Sequence, residues 1–205
     1  MADLMTGLKT DEEKAEEIKL WWKENGNSIL AGVALAVAGV FGWQQWQAYK
    51  VSQSEEASGL FSQITNGTAI DRAGTIKKLE NDYSATPYAA FASMEKAKTA
   101  KDNKVAIEAL RAAAESKQIN VARIAKLRLS RALIADGQLN KAASLLKEKF
   151  PSAYTSLLEE LKGDLHLAKK EIDQARQSYD RAILSAGRDS VEFLKMKRNN
   201  LGEGA

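Results

Sequence analysis

Polar and apolar positions divide the chain into three regimes. Up to Glu24 most residues are polar or charged. From Asn25 to Tyr49 come 25 consecutive residues without a charge, centred on ILAGVALAVAGVFGW (29–43). Beyond Lys50, apolar residues recur every three or four positions among Lys, Glu, Gln and Asp, the period of amphipathic helices. β-Branched runs are scarce and only two prolines, Pro87 and Pro151, interrupt the chain. The pattern therefore predicts an all-α protein. Its spacing predicts helices near 53–66, 70–82, 87–100, 103–116, 120–136, 138–149, 152–169, 172–186 and 189–198. The first of these is polar and carries Gly59 and Gly67. Residues 51–70 thus read either as part of a first, irregular hairpin or as a stalk that continues the preceding helix.

The uncharged stretch is long enough to cross a bilayer. A hydrocarbon core of about 30 Å needs roughly 20 mostly apolar residues at about 1.5 Å each, and residues 26–46 supply them. Trp21 and Trp22 stand before it, and Trp43, Trp46 and Tyr49 close it, so all four tryptophans bracket one segment. Indole rings settle at the headgroup level, where an apolar body and a polar N–H are both satisfied. A cleaved signal peptide fits poorly. Its leading region would be long and net acidic, and the Ala34–Leu35–Ala36 and Ala36–Val37–Ala38 cleavage candidates lie mid-stretch. A soluble core helix rarely stays uncharged so long. Gly32, Ala36 and Gly39, at i, i+4 and i+7, place small residues on one stripe where another membrane helix can approach.

Orientation follows the basic residues. Lys9, Lys14, Lys19 and Lys23 precede the span closely, whereas Lys50 stands alone after it until Arg72. The positive-inside rule puts the tail, residues 1–25, in the cytosol and residues 47–205 on the other side. Within the tail, Thr10 and Glu13 form a capping-box pattern, so a helix should start at Asp11, with Asp11, Glu12 and Glu13 on its positive end.

Self-similarity appears in the remainder. Leu161–Ile183 fits the tetratricopeptide pattern of about 34 residues. Gly163 falls where the first helix meets its partner closely, His166 three residues later, and Ala175, Tyr179 and Ala182 at the small, aromatic and small positions of the second helix. Thirty-three residues earlier, Ala142 and Leu146 match Ala175 and Tyr179, and Gly137 supplies the turn. Ala106, Leu110 and Ala113 repeat the small–large–small spacing. Pro87 and Pro151 sit just ahead of helices, where a fixed φ suits the first turn. One hairpin of this size cannot bury its apolar stripe alone, so the units should stack into an α-solenoid with a concave face. The predicted organisation is a cytosolic tail (1–25), a transmembrane helix (26–46), a stalk and first irregular hairpin (47–85), tetratricopeptide-like repeats (86–188) and a C-terminal helix and tail (189–205).

Composition narrows the chemistry. There is no cysteine, which removes disulfides, thiolate catalysis, Cys-type zinc sites and a lipoprotein anchor. Residues 50–205 hold 26 Lys or Arg against 20 Asp or Glu, too mild and dispersed an excess for a nucleic-acid footprint. The single histidine, His166, lies between Leu165 and Leu167 at a packing position without companion ligands or a nucleophile. No cofactor, metal or catalytic residue is expected, and the chain reads as a non-enzyme. Candidate protein-binding residues are Arg128 and Arg131, three apart on the helical run RIAKLRLSRAL with Arg123. They suit carboxylates or a chain terminus, or else structural ion pairs between neighbouring helices.

The run KENGNSILAGVALAVAGVFGWQQWQAYK, then LRLSRAL, ELKGDLHLAKKEIDQARQSYDRAI and KMKRNNL, resembles the YfgM family of bacterial ancillary Sec translocon subunits over nearly the whole chain. Asn25–Gly26, Gly42–Trp43, Trp46 and Asn199–Asn200–Leu201 fall in the family's order. The departures are local, at residues 1–12 and 51–80. The resemblance implies a single-pass protein of the Gram-negative inner membrane with its repeat domain in the periplasm. It implies partnership with the SecYEG channel and with a membrane-anchored periplasmic chaperone of prolyl-isomerase type. The implied role is an adaptor that passes emerging chains to periplasmic chaperones. An alternative is restraint of an envelope-stress response regulator through the cytosolic tail.

Overall fold

A computed structural model describes residues 10–202. Every regular element among them is helical: α1 (Asp11–Thr65), α2 (Arg72–Asp82), α3 (Pro87–Thr99), α4 (Asn103–Ala114), α5 (Ile119–Ala135), α6 (Leu139–Leu146), α7 (Thr155–Ala168), α8 (Ile172–Leu184) and α9 (Val191–Asn199). The chain divides into two compact units, Met1–Ser52 and Gln53–Ala205.

In the first unit the described residues belong to α1 and its N-cap, Thr10. The capping box forms as its spacing predicts. The Thr10 N–H donates to Glu13 Oε2 at 3.0 Å and the Glu13 N–H donates to Thr10 Oγ1 at 3.4 Å, so the helix begins at Asp11. Downstream, most apolar side chains of the helix are exposed. Leu35 is 74% exposed and Phe41 64%. An uncharged helix with apolar side chains all around it is satisfied in lipid, not in water. Among the described residues α1 is the one helix long and apolar enough to cross a membrane.

In the second unit the separate helix expected over 53–66 does not exist. Those residues are the last turns of α1, which runs unbroken to Thr65. The helix continues because Gly59 alone does not stop a helix whose other positions favour it. Ala57 and Ile64 of this end pack with Ile76 and Leu79 of α2, Tyr83 and Ala92 in a small core. Arg72 ties the corner: Nη1 donates to the Ile64 carbonyl at 3.0 Å and Nη2 to Glu95 at 2.9 Å.

From α3 onward the helices pair as hairpins, α3/α4, α5/α6 and α7/α8, around a larger core that includes Leu110, Leu127, Leu133, Leu146 and Leu161. The repeat positions read from the sequence are buried: Ala142, Ala175, Tyr179 and Ala182 are fully enclosed, as is Ala113. Pro87 is the first residue of α3. Pro151 precedes a 3₁₀ turn at Ser152–Tyr154 that leads into α7. The turns inside the last two hairpins share one motif at the 33-residue spacing. The Gln138 and Gly137 N–H groups bond to the Leu133 and Ile134 carbonyls, and those of Glu171 and Lys170 bond to His166 and Leu167. Each is a Schellman cap, which needs a left-handed residue after the helix. Gly137 adopts it at φ 74° and Lys170 at φ 64°.

Candidate protein-binding groove

Side-chain volume decides how the hairpins close. A Cβ on Gly163 would stand 2.6 Å from the Tyr179 ring, so only glycine lets α7 and α8 meet there. The first helices α3, α5 and α7 also touch in succession, α5 packing on both of the others. They therefore line the inner face of the stack. α5 is enclosed by α3, α4, α6 and α7, which leaves one open stripe running through Ile124, Arg128 and Arg131.

The two candidate arginines of that stripe have different fates. Arg131 Nη2 donates to Glu160 of α7 at 3.1 Å. Glu160 also accepts from Lys197 of α9 at 2.9 Å, and Lys197 pairs with Asp164 at 2.5 Å. The Lys197 ammonium stands 5.4 Å and 5.5 Å from the Tyr179 and Phe193 ring centres, inside cation–π range. Tyr179 donates its hydroxyl to Asp164 at 2.7 Å. Burial, then the Asp164 carboxylate beside it, push this phenol far above its ordinary range, so it remains a donor. Arg131 thus belongs to a network that joins α5, α7, α8 and α9. Among the described residues Arg128 has no carboxylate partner: its Nη1 meets the thioether of Met94 at 3.5 Å, a weak acceptor.

Toward the α1 end the inner face is aromatic. Phe61, Tyr88 and Phe91 form a triangle with ring centres 5.8 to 6.0 Å apart, a favourable spacing for tilted and edge contacts. Sequence reasoning missed this cluster, because Phe61 meets the other two only through the fold. His166 is partly buried with Nδ1 2.6 Å from Glu171 Oε2, spanning the turn that Lys170 makes.

The four tryptophans of α1 are all exposed. The rings of Trp43 and Trp46 lie 5.1 Å apart, with the Lys50 ammonium 3.6 Å from the Trp46 ring centre. Gly32, Ala36 and Gly39 are exposed, and a Cβ on either glycine would meet nothing.

Comparison with known proteins gives this architecture a family. Residues 19–203 match the model of the tetratricopeptide repeat-like domain. An ancillary SecYEG translocon subunit of Haemophilus influenzae is 32% identical over 198 residues, covering 93% of this chain and 97% of the relative. Proteins with the same name from Escherichia coli and Neisseria gonorrhoeae are 24% and 27% identical, over 94% and 93% of this chain and 97% of each relative. The chain belongs to the family of ancillary SecYEG translocon subunits. No solved structure matches it. Membership of this family and the lipid-compatible surface of α1 fit a single-pass membrane protein. The resemblance seen in the translocon-subunit motifs is thereby established over most of the chain, from before the span to Asn199–Asn200–Leu201.

Proposed function

We propose that this chain is a membrane-anchored, non-catalytic adaptor of the Sec translocon. The carrying observation is the union of an exposed apolar helix with a repeat solenoid in a family whose members are named as SecYEG subunits. In this reading residues 26–46 of α1 lie in the inner membrane, with Trp21 and Trp22 at one headgroup layer and Trp43 and Trp46 at the other. Lys14, Lys19 and Lys23, with Lys9 outside the described residues, hold the tail in the cytoplasm. The solenoid is displayed in the periplasm. Gly32, Ala36 and Gly39 offer a close-packing stripe to a helix of SecYEG. Tethering raises the local concentration of the solenoid at the channel, so weak contacts suffice to engage partners. Those partners are chains leaving the channel and a membrane-anchored periplasmic chaperone of prolyl-isomerase type. In this reading His166 is a structural side chain that pairs with the Glu171 carboxylate across its own turn.

In-membrane photocrosslinking from positions along 28–46 tests the reading. Recovery of SecYEG subunits is expected, and their absence at every position would refute it. A second role, restraint of an envelope-stress response regulator, draws on the exposed, capped helical segment from Asp11 before the span. Deleting residues 1–20 separates the two. The adaptor keeps its translocon crosslinks, whereas a tail-borne regulator loses its function.

A further inference from the structure

The inner face of the solenoid carries an apolar strip that is packed on the core but only partly buried, and a charged row beside it. Phe91, Ile124 and Leu157 stand 33 residues apart, at the same position of α3, α5 and α7, and each is only partly buried. Tyr88 and Phe61 extend that strip at its α1 end. The charged row draws on α2, α3, α5, α7 and α9, and in it Arg128 stands one turn beyond Ile124 on α5. Glu95 already serves Arg72 at 2.9 Å and Lys98 at 3.7 Å, and Glu160 already serves Arg131 and Lys197. Asp164 shares Lys197 and takes the Tyr179 hydroxyl. Arg128 stands between these clusters, exposed, and among the described residues its polar contact is a thioether. Of these cations Arg128 alone has no carboxylate within ion-pair distance among the described residues.

We propose that this face binds a polypeptide segment that carries carboxylates beside apolar side chains, and that Arg128 is its carboxylate receptor. The inference deepens the adaptor reading and rests on it for the source of the segment, a periplasmic protein chain. Charge complementarity selects the ligand. A basic segment would meet the positive charge of Arg128, and a neutral apolar one would leave the Arg128 guanidinium desolvated without an acceptor. Arginine suits the role because its planar fork takes a carboxylate in two parallel hydrogen bonds. The apolar strip supplies contact area and Arg128 supplies the choice between acid and amide.

Full-length protein in nanodiscs and three short fluorescent peptides test this: one with Leu, Phe and Glu, one with each Glu replaced by Gln, and one with the apolar residues replaced by Ser. Fluorescence anisotropy should show the Glu peptide binding about tenfold more tightly than the Gln peptide, the ratio set by one charge-assisted hydrogen-bonded pair. The Ser peptide should bind more weakly than either. Arg128→Gln should bring the Glu-to-Gln ratio close to one and leave the Gln peptide's affinity unchanged, while Arg128→Lys keeps part of the preference. Equal binding of Glu and Gln peptides by the wild type, a preference that survives Arg128→Gln, or displacement of the peptide by inorganic phosphate would each overturn the proposal. So would binding to none of the peptides. The crosslinks from 28–46 should persist in Arg128→Gln. Their loss in the wild type would instead strike the adaptor reading and leave the peptide preference standing.

Discussion

Gly163 and Tyr179 are a matched pair: the ring of the second occupies the space that a side chain on the first would need. Thirty-three residues earlier the same two positions hold Ser130 and Leu146, both buried. A smaller side chain on the second helix there admits a Cβ on the first. The repeat keeps the sum of volumes across the helix contact, not the residues themselves.

Gly163→Ser should therefore destabilise the solenoid by about 1–3 kcal/mol, the usual range for overpacking a closed core. Adding Tyr179→Leu, which recreates the Ser130/Leu146 pairing, should recover part of that loss. Urea unfolding of the two single variants and the double variant measures the coupling. Additive losses would show that the two positions do not share space.

Lys170 holds a left-handed backbone conformation that costs a residue with a Cβ roughly 1–2 kcal/mol. Lys170→Gly should raise stability by about 0.5–1 kcal/mol, after the greater freedom of glycine in the unfolded chain is subtracted. Gly137→Ala, at the equivalent turn, should lower it by about 1–2 kcal/mol. Melting temperatures of the two variants should move in opposite directions.

Glu159 gives the solenoid an acid-sensitive joint. Burial opposes its ionisation, but Lys162 and Arg181, each at 2.6 Å, outweigh burial and hold its carboxyl below the ordinary 4.5. A depressed folded-state value means that the unfolded chain binds the proton first. The stabilisation is complete above 4.5 and fades as pH falls through the folded value. Glu159→Gln should be less stable than wild type at neutral pH. Its urea midpoint should also fall less steeply than that of wild type between pH 6 and about pH 3.

The lipid-facing reading of α1 makes a depth-dependent prediction. Val37→Arg places a guanidinium mid-span, at a cost of about 2.5–3.5 kcal/mol on insertion scales. It should release a fraction of the protein from the membrane on alkaline extraction. Ser28→Arg, near the tail end of the span, should leave the protein membrane-bound. Equal retention of both variants would argue against a spanning helix.

Much of this was legible along the chain because it depends on local spacing. The uncharged stretch, the Thr10–Glu13 cap, the hairpin phase marked by Ala142, Ala175 and Tyr179, and the close approach at Gly163 are each set by residues within one helix or one hairpin. Short-range geometry converts such spacing directly into structure. The fate of residues 53–65 was not settled locally. A polar stretch with a glycine suits a stalk or a separate helix, and packing of Ala57 and Ile64 under α2 accompanies the continuous form.

By itself, then, the sequence determined the all-helical class, the phase of the repeats and the length of the uncharged apolar stretch in α1. Only the tertiary structure decided which charges are spent. Arg128 and Arg131 are indistinguishable in the chain, three residues apart on one helical face. Glu160, 29 residues beyond Arg131, pairs with one, and the other is left with a thioether. The aromatic triangle of Phe61, Tyr88 and Phe91 arises in the same way. Partners across helices are chosen by the register in which the helices stack, and that register comes from packing volume summed over the core, which no local pattern encodes.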